Sequence, residues 1–173
     1  KETALLISQN NIIGWFQGRL EFGDRALGNR SILGDPRDDA MKDKVNETVK
    51  YREPFRPFAP AILADHVDDY FVNALPTPFM ENVYPIRPEM RNQIPAVVHE
   101  DGTGRLQTVS NDQNPLFHRL ITEFFNETGT PIVLNTSFNL KGEAIVCTPQ
   151  DAVRTFYSSG LDALVIGNCV IRK

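Results

Sequence analysis

The chain has 173 residues, of which 41% are hydrophobic and 23% charged, the size and make-up of one globular domain that buries a core without help from disulfides or metal. A formal net charge of −4 argues against a dedicated nucleic-acid binder, which carries a basic surplus, so nucleic acid is not an expected partner. No apolar run approaches the roughly 20 residues of a membrane-spanning helix, and the two cysteines, Cys147 and Cys169, lack metal-ligand spacing and are expected as buried thiols of a reducing cytoplasm.

In chain order, residues 1–9 read as the last turns of a helix and suggest a piece of a longer protein. Residues 12–16 (IIGWF) form an apolar run that fits a buried strand. A loop rich in Gly and Arg is expected over residues 18–37. Asp35-Pro36 then reads as an N-cap and first helical position of a helix running to Lys50, with Met41, Val45 and Val49 on one face. Prolines at 54, 57 and 60 interrupt the next stretch, and a strand over residues 58–63 is expected at a sheet edge, where a missing N–H is tolerated. A short acidic helix over 65–71 precedes a long excursion, 73–95, expected to pack through Phe79, Met80 and Tyr84.

Residues 96–99 and 106–109 flank Asp101-Gly102-Thr103-Gly104 and read as a hairpin. Residues 115–126 are the clearest helix, with a stripe of Leu116, Leu120, Ile121, Phe124 and Phe125 and Gly129 to close it. A strand over 131–135, a helix opened by Thr148-Pro149-Gln150-Asp151, and strands over 163–166 and 169–171 complete a single α+β (mixed α/β) domain spanning 1–173.

Four clusters carry the chemistry. Residues 18–31 hold three glycines and three arginines, so the backbone can approach a ligand closely while guanidinium groups fork onto oxyanions. The stretch lacks the Gly-Lys-Ser/Thr ending of a phosphate-binding P-loop. Leu27 and Phe22, interleaved with the arginines, are expected to anchor it. In residues 50–58, Lys50, Arg52 and Arg56 alternate with Tyr51, Phe55 and Phe58, while Glu53 can pair with Arg52. Arg105 leaves the Gly-containing loop. Asn135, Thr136, Ser137 and Asn139 follow a strand, the position at which α/β sheets hold ligands. Each cluster also has an ordinary structural explanation: a solvated loop, cations at a helix end, an exposed turn arginine, local turn chemistry. His66, His99 and His118 are not spaced as metal ligands, so no metal-binding residues are assigned; His118 is expected at the surface or core edge, and His99 is the one that could approach the site.

The stretches GRLEFGDRALGNRSILGDPR (18–37), NETVKYREPFRPFAPAIL (46–63), HEDGTGRLQTV (99–109) and LNTSFNLKGEAIV (134–146) occur in an order, and over nearly the whole chain, that resembles the C-terminal domain of the NodU/CmcH-type O-carbamoyltransferases of nodulation and antibiotic tailoring. The resemblance implies a YrdC-like fold, a twisted mixed sheet flanked by helices. It implies a domain that binds carbamoyl phosphate and ATP, with Mg²⁺, and forms carbamoyl adenylate for O-carbamoylation of a hydroxyl acceptor. It also implies an N-terminal actin-like domain that is absent from this chain. Carried onto this sequence, the ligand contacts fall on Arg25, Lys50, Arg56, Arg105 and Ser137, with Arg52, Asn135 and Asn139 as further members. Asp24 stands where the family motif has proline and is expected to pair with Arg25 or Arg30. Gly104 replaces a more usual alanine. The alternative from another class is a non-catalytic module that binds a phosphorylated ligand or RNA through the same basic concavity.

Overall fold

A computed structural model of the chain describes residues 1–51, 53 and 56–173. Its elements are α1 (Glu2–Ser8), β1 (Ile13–Phe16), β2 (Arg30–Gly34), α2 (Ala40–Val45), β3 (Ala59–Leu63), α3 (Val67–Tyr70), β4 (Val83–Pro85), β5 (Thr103–Arg105), β6 (Gln107–Val109), α4 (Pro115–Thr128), β7 (Ile132–Ser137), α5 (Pro149–Tyr157), β8 (Ala163–Ile166) and β9 (Cys169–Arg172). Seven strands form one mixed sheet in the order β6-β3-β7-β2-β1-β8-β9, while β4 and β5 make a separate two-stranded ribbon. The α+β architecture expected from the sequence is present. Among the described residues no helix is long and apolar enough to cross a membrane.

Both faces of the sheet are covered, so its strands read as continuous apolar runs instead of alternating ones. Successive side chains still part to opposite faces. Ile12, Ile32, Leu134 and Leu164 join a core with α2, α5 and the 70–97 region, whereas Ile13, Leu33, Val133 and Val165 join a second core with α1 and α4. Asn114 caps α4, its side chain accepting from Phe117 N at 3.1 Å, and Gly129 closes the helix at φ 74°. Thr148 and Asp151 form a reciprocal capping box on α5.

Several expectations are corrected. The loop expected over 18–37 contains β2, which lies between β1 and β7 in the middle of the sheet. Its signal is masked because it begins on Arg30, a buried cation with its guanidinium 3.5 Å from the centre of the Phe16 ring. Asp35 is not a helix cap. Its buried carboxylate accepts from the Arg37 guanidinium at 2.6 Å and from Arg37 N at 2.9 Å, and α2 starts only at Ala40. The chain then widens into a π-helical turn, Asn46–Lys50, ended by Tyr51 in the left-handed region at φ 46°.

Strand β3 is interior, flanked by β6 and β7; Pro60 is accommodated because pairing with β6 begins one residue later, at Ala61↔Gln107. The hairpin expected from 96–99 and 106–109 does not form. A tight turn is present, with His99 N donating to Thr103 O at 2.8 Å, but β5 pairs with β4 and β6 pairs in parallel with β3. Met80 and Tyr84 pack as expected in the excursion, whereas Phe79 is exposed. On α4 the inward residue is Phe117, and Leu116 faces out. Cys147 and Cys169 are both free and exposed, not buried.

Candidate active site

Strand polarity brings the four basic and polar clusters to one end of the sheet. Strand β7 runs antiparallel to β2 and β3, so its C-terminal residues Asn135 and Ser137 lie opposite Ala59 at the start of β3 and Ser31 at the start of β2. Parallel β6 and β3 enter from the same side, so Arg105, two residues ahead of Gln107, and Arg56, three ahead of Ala59, arrive together. The loop 18–29 lies across this end between β1 and β2.

That loop is held by polar anchors. One oxygen of Glu21 accepts from three backbone N–H groups, those of Leu27 (2.8 Å), Asn29 (2.7 Å) and Arg30 (3.2 Å). The Trp15 indole donates to Gly28 O at 2.7 Å, and Gln107 Nε2 donates to Leu27 O at 2.9 Å. Asn135 Nδ2 donates to Ala26 O at 3.1 Å and to Gln107 Oε1 at 2.7 Å, while Asn135 Oδ1 is buried with no partner. The expected anchor Phe22 is fully exposed, and Leu27 is half-buried. Gly28, at φ 109°, lies so close to Phe117 that a Cβ would come 2.3 Å from that ring, which fixes glycine there.

Deeper in, the Lys50 ammonium sits among four oxygens: Ser137 O (2.6 Å), Ser137 Oγ (3.2 Å), Asn139 Oδ1 (2.7 Å) and Asn139 O (3.1 Å). The Ser137 hydroxyl also donates to Asn139 Oδ1 at 2.7 Å. The π-helical turn carries Lys50 to this position, an example of the widened turns that recur at functional sites. Arg30 is committed likewise, donating to Gln17 O at 2.7 Å and, more weakly, to Gly18 O and Cys147 O. Burial pushes its guanidinium below the ordinary arginine value, against the opposing pull of Glu21.

Arg25, Arg56 and Arg105 are treated differently. Burial lowers the proton affinity of Arg105, and the positive charges of Arg25 and Arg56 act in the same direction, opposed by Asp24. Arg105 therefore feels the charge of both other arginines. Asp24 pairs with Arg25 at 3.4 Å, as expected from the sequence, and Glu53 lies 3.9 Å from Arg56; both carboxylates are exposed. Among the described residues no carboxylate forms an ion pair with Arg105. Arg52 and Phe55, also singled out in the sequence, lie outside the described residues.

His99 stands beside this group. The Thr103 hydroxyl donates to Asp101 at 2.7 Å, so its oxygen accepts from His99 Nδ1 at 3.0 Å, leaving Nε2 buried and without a partner. Burial holds the ring below the ordinary histidine value; Asp101 opposes this, and Arg105 and Lys42 reinforce it. Glu21 and Gln107 have no flag in the sequence: the first is one of two acids in a basic loop, the second a lone amide in a short strand.

Comparison with known proteins bears on this arrangement. The carbamoyltransferase C-terminus family matches residues 4–173. Nodulation protein NolNO of Sinorhizobium fredii is 50% identical over 172 residues, covering 96% of this chain and 25% of that protein. The 3'-hydroxymethylcephem-O-carbamoyltransferase of Amycolatopsis lactamdurans is 35% identical, covering 96% of this chain and 32% of the other. The crystal structure of full-length HypF in the phosphate- and nucleotide-bound form superposes with a TM-score of 0.60 at 13% identity, over 95% of this chain and 20% of HypF, which shows a shared fold. The chain thus spans between a quarter and a third of the length of these curated relatives. It belongs to the carbamoyltransferase C-terminal family.

Proposed function

We propose that this chain binds carbamoyl phosphate and ATP at the sheet end described above and joins them as carbamoyl adenylate, the activated form from which a hydroxyl is carbamoylated. The observation that carries this reading is the convergence of Arg25 and Arg56 on a partly buried Arg105, three cations with only two exposed carboxylates near them. Such an arrangement lacks its counter-charge until an anion arrives, and phosphate and acyl phosphate are the anions that guanidinium forks fit best. Lys50, Ser137, Asn139 and Asn135 form the polar floor of the same site.

The chemistry suits these residues. Forming an adenylate from carbamoyl phosphate and ATP consumes one water and releases inorganic phosphate and pyrophosphate, so charge must be held at both phosphate groups as they depart. Reactions of this type need positioning and charge stabilisation more than a protein nucleophile. Mg²⁺ is expected to arrive on the nucleotide phosphates. Among the described residues no three His, Cys, Asp or Glu side chains gather where they could hold a metal ion. Mg²⁺ in such sites is held by one or two carboxylates together with the substrate phosphates, and no step is assigned to it.

The likeness to HypF, whose crystal structure is in a phosphate- and nucleotide-bound form, supports the choice of ligands. The length of the relatives supports a further part of the protein, which we take to be the actin-like domain that transfers the carbamoyl group and selects the acceptor. A reducing cytoplasm suits the two free, exposed thiols. Calorimetric titration with carbamoyl phosphate tests the site. Arg25→Ala and Arg105→Ala are each expected to weaken binding about 10- to 100-fold while the fold is kept, the loss of one charge-assisted contact. Unchanged affinity in both variants would reject the arginine site.

A further inference from the structure

We infer that Gln107 is a positioning residue that sets Arg25 against Arg105 for ligand binding. The inference rests on the carbamoyl-phosphate reading of the arginine cluster. Gln107 opens β6 two residues after Arg105, in the same extended run, and is 2% exposed. Its Nε2 donates to Leu27 O at 2.9 Å, and its Oε1 accepts from Asn135 Nδ2 at 2.7 Å. Asn135 Nδ2 in turn donates to Ala26 O at 3.1 Å. The two carbonyls so held belong to the residues that directly follow Arg25.

Three segments meet in this chain of bonds: the run from β5 into β6 with Arg105, β7 with Asn135 and Ser137, and the loop with Arg25. Only a side chain that both donates and accepts can make the central link, and a primary amide does so without charge. The backbone carbonyls of Ala26 and Leu27 can only accept, which fixes the direction in which both amides face. The link opposes a repulsion, because Arg25 and Arg105 carry like charges, and the other bonds to residues 26 and 27, from Asn135 to Ala26 O and from Leu27 N to Glu21, do not reach the run that bears Arg105. Without Gln107 the stretch 25–27 loses its tie to the extended run that bears the opposing arginine. Gln107 need not touch the ligand: its effect passes through the place where Arg25 is held.

The test is a double-mutant cycle read by calorimetric titration with carbamoyl phosphate. Gln107→Met keeps the size of the side chain and removes both bonds, and is expected to weaken binding roughly 10-fold, since small misplacements of binding groups are costly. In the Arg25→Ala background the same change is expected to cost no further affinity, because both act through one contact. A merely structural role would instead lower affinity by the same factor in both backgrounds. Additive losses, or wild-type affinity in Gln107→Met, would overturn the inference. Should Gln107→Met not fold, Gln107→Glu keeps the acceptor for Asn135, loses the donor to Leu27, and takes its place in the same cycle. If wild-type chain does not bind carbamoyl phosphate, or Arg25→Ala binds it as wild type does, the arginine-site reading fails and takes this one with it; a normal Arg25→Ala loss with additive Gln107 effects removes this one alone.

Discussion

At one end of the same sheet, cations are handled in two opposite ways. Lys50 and Arg30 are buried and surrounded by protein oxygens, Lys50 by four and Arg30 by main-chain carbonyls of both flanking segments. Arg25 and Arg56 stand at the rim, each beside one exposed carboxylate, and Arg105 beside them feels the positive charge of both. A buried cation held by protein oxygens contributes to the fold, and removing its partners or itself leaves polar groups stranded. A rim of partly desolvated, under-neutralised arginines contributes little to the fold and is poised for an anion. The comparison separates what builds the site from what the site offers.

The difference has measurable consequences. The largest is expected at Gly28, where the loop between β1 and β2 touches the second core: Gly28→Ala puts a Cβ within 2.3 Å of Phe117 at φ 109° and is expected to cost about 3 kcal/mol or more in denaturant unfolding. Lys50→Met strands the oxygens of Ser137 and Asn139 and is expected to cost roughly 2–3 kcal/mol in the same measurement. Arg105→Ala, a rim change, is expected to leave unfolding within about 1 kcal/mol of wild type, since it removes a repelled charge along with some packing of its stem. A loss at Arg105 as large as that at Lys50 would erase the distinction between floor and rim.

The smallest effect reports the field of the rim. Burial, reinforced by Arg105 and Lys42, holds His99 below its ordinary value of 6.5, so the folded chain binds its proton less readily than the unfolded chain. Stability from this group is therefore complete above the unfolded value and is lost as pH falls below it. His99→Gln is expected to flatten that acid slope in thermal unfolding followed as a function of pH. In Arg105→Ala an NMR titration is expected to find the His99 midpoint raised. A midpoint that does not move would show that Arg105 does not act on this ring.

How much of this is legible in the sequence differs by residue type. Helix α4 and helix α5 announce themselves through Pro115, Gly129 and the Thr148–Asp151 box, because caps and periodicity are local. Strand β2 is hidden, since its apolar core of Ile32-Leu33 is short and its first residue is a buried arginine that resembles the surface arginines around it. The pairing of β6 with β3 is hidden too, because the Gly102 turn suggests a hairpin while the ladder that forms depends on a strand much earlier in the chain. In the site, the arginines are visible as residue types, and the resemblance supplies their order. Their division into floor and rim is not visible, because it depends on which oxygens lie opposite each cation. Glu21 and Gln107 escape notice for the same reason: a single polar side chain carries no pattern, and only the folded loop supplies the N–H and C=O groups that give it a role.

The most direct test of the proposed chemistry is carbamoyl-phosphate-dependent exchange of labelled pyrophosphate into ATP, measured with Mg²⁺ on this chain alone and joined to the further domain proposed for it. Adenylate formation predicts exchange that requires carbamoyl phosphate and is lost in Arg25→Ala and Arg105→Ala. Well-folded protein that binds carbamoyl phosphate yet shows no exchange in either form would contradict it.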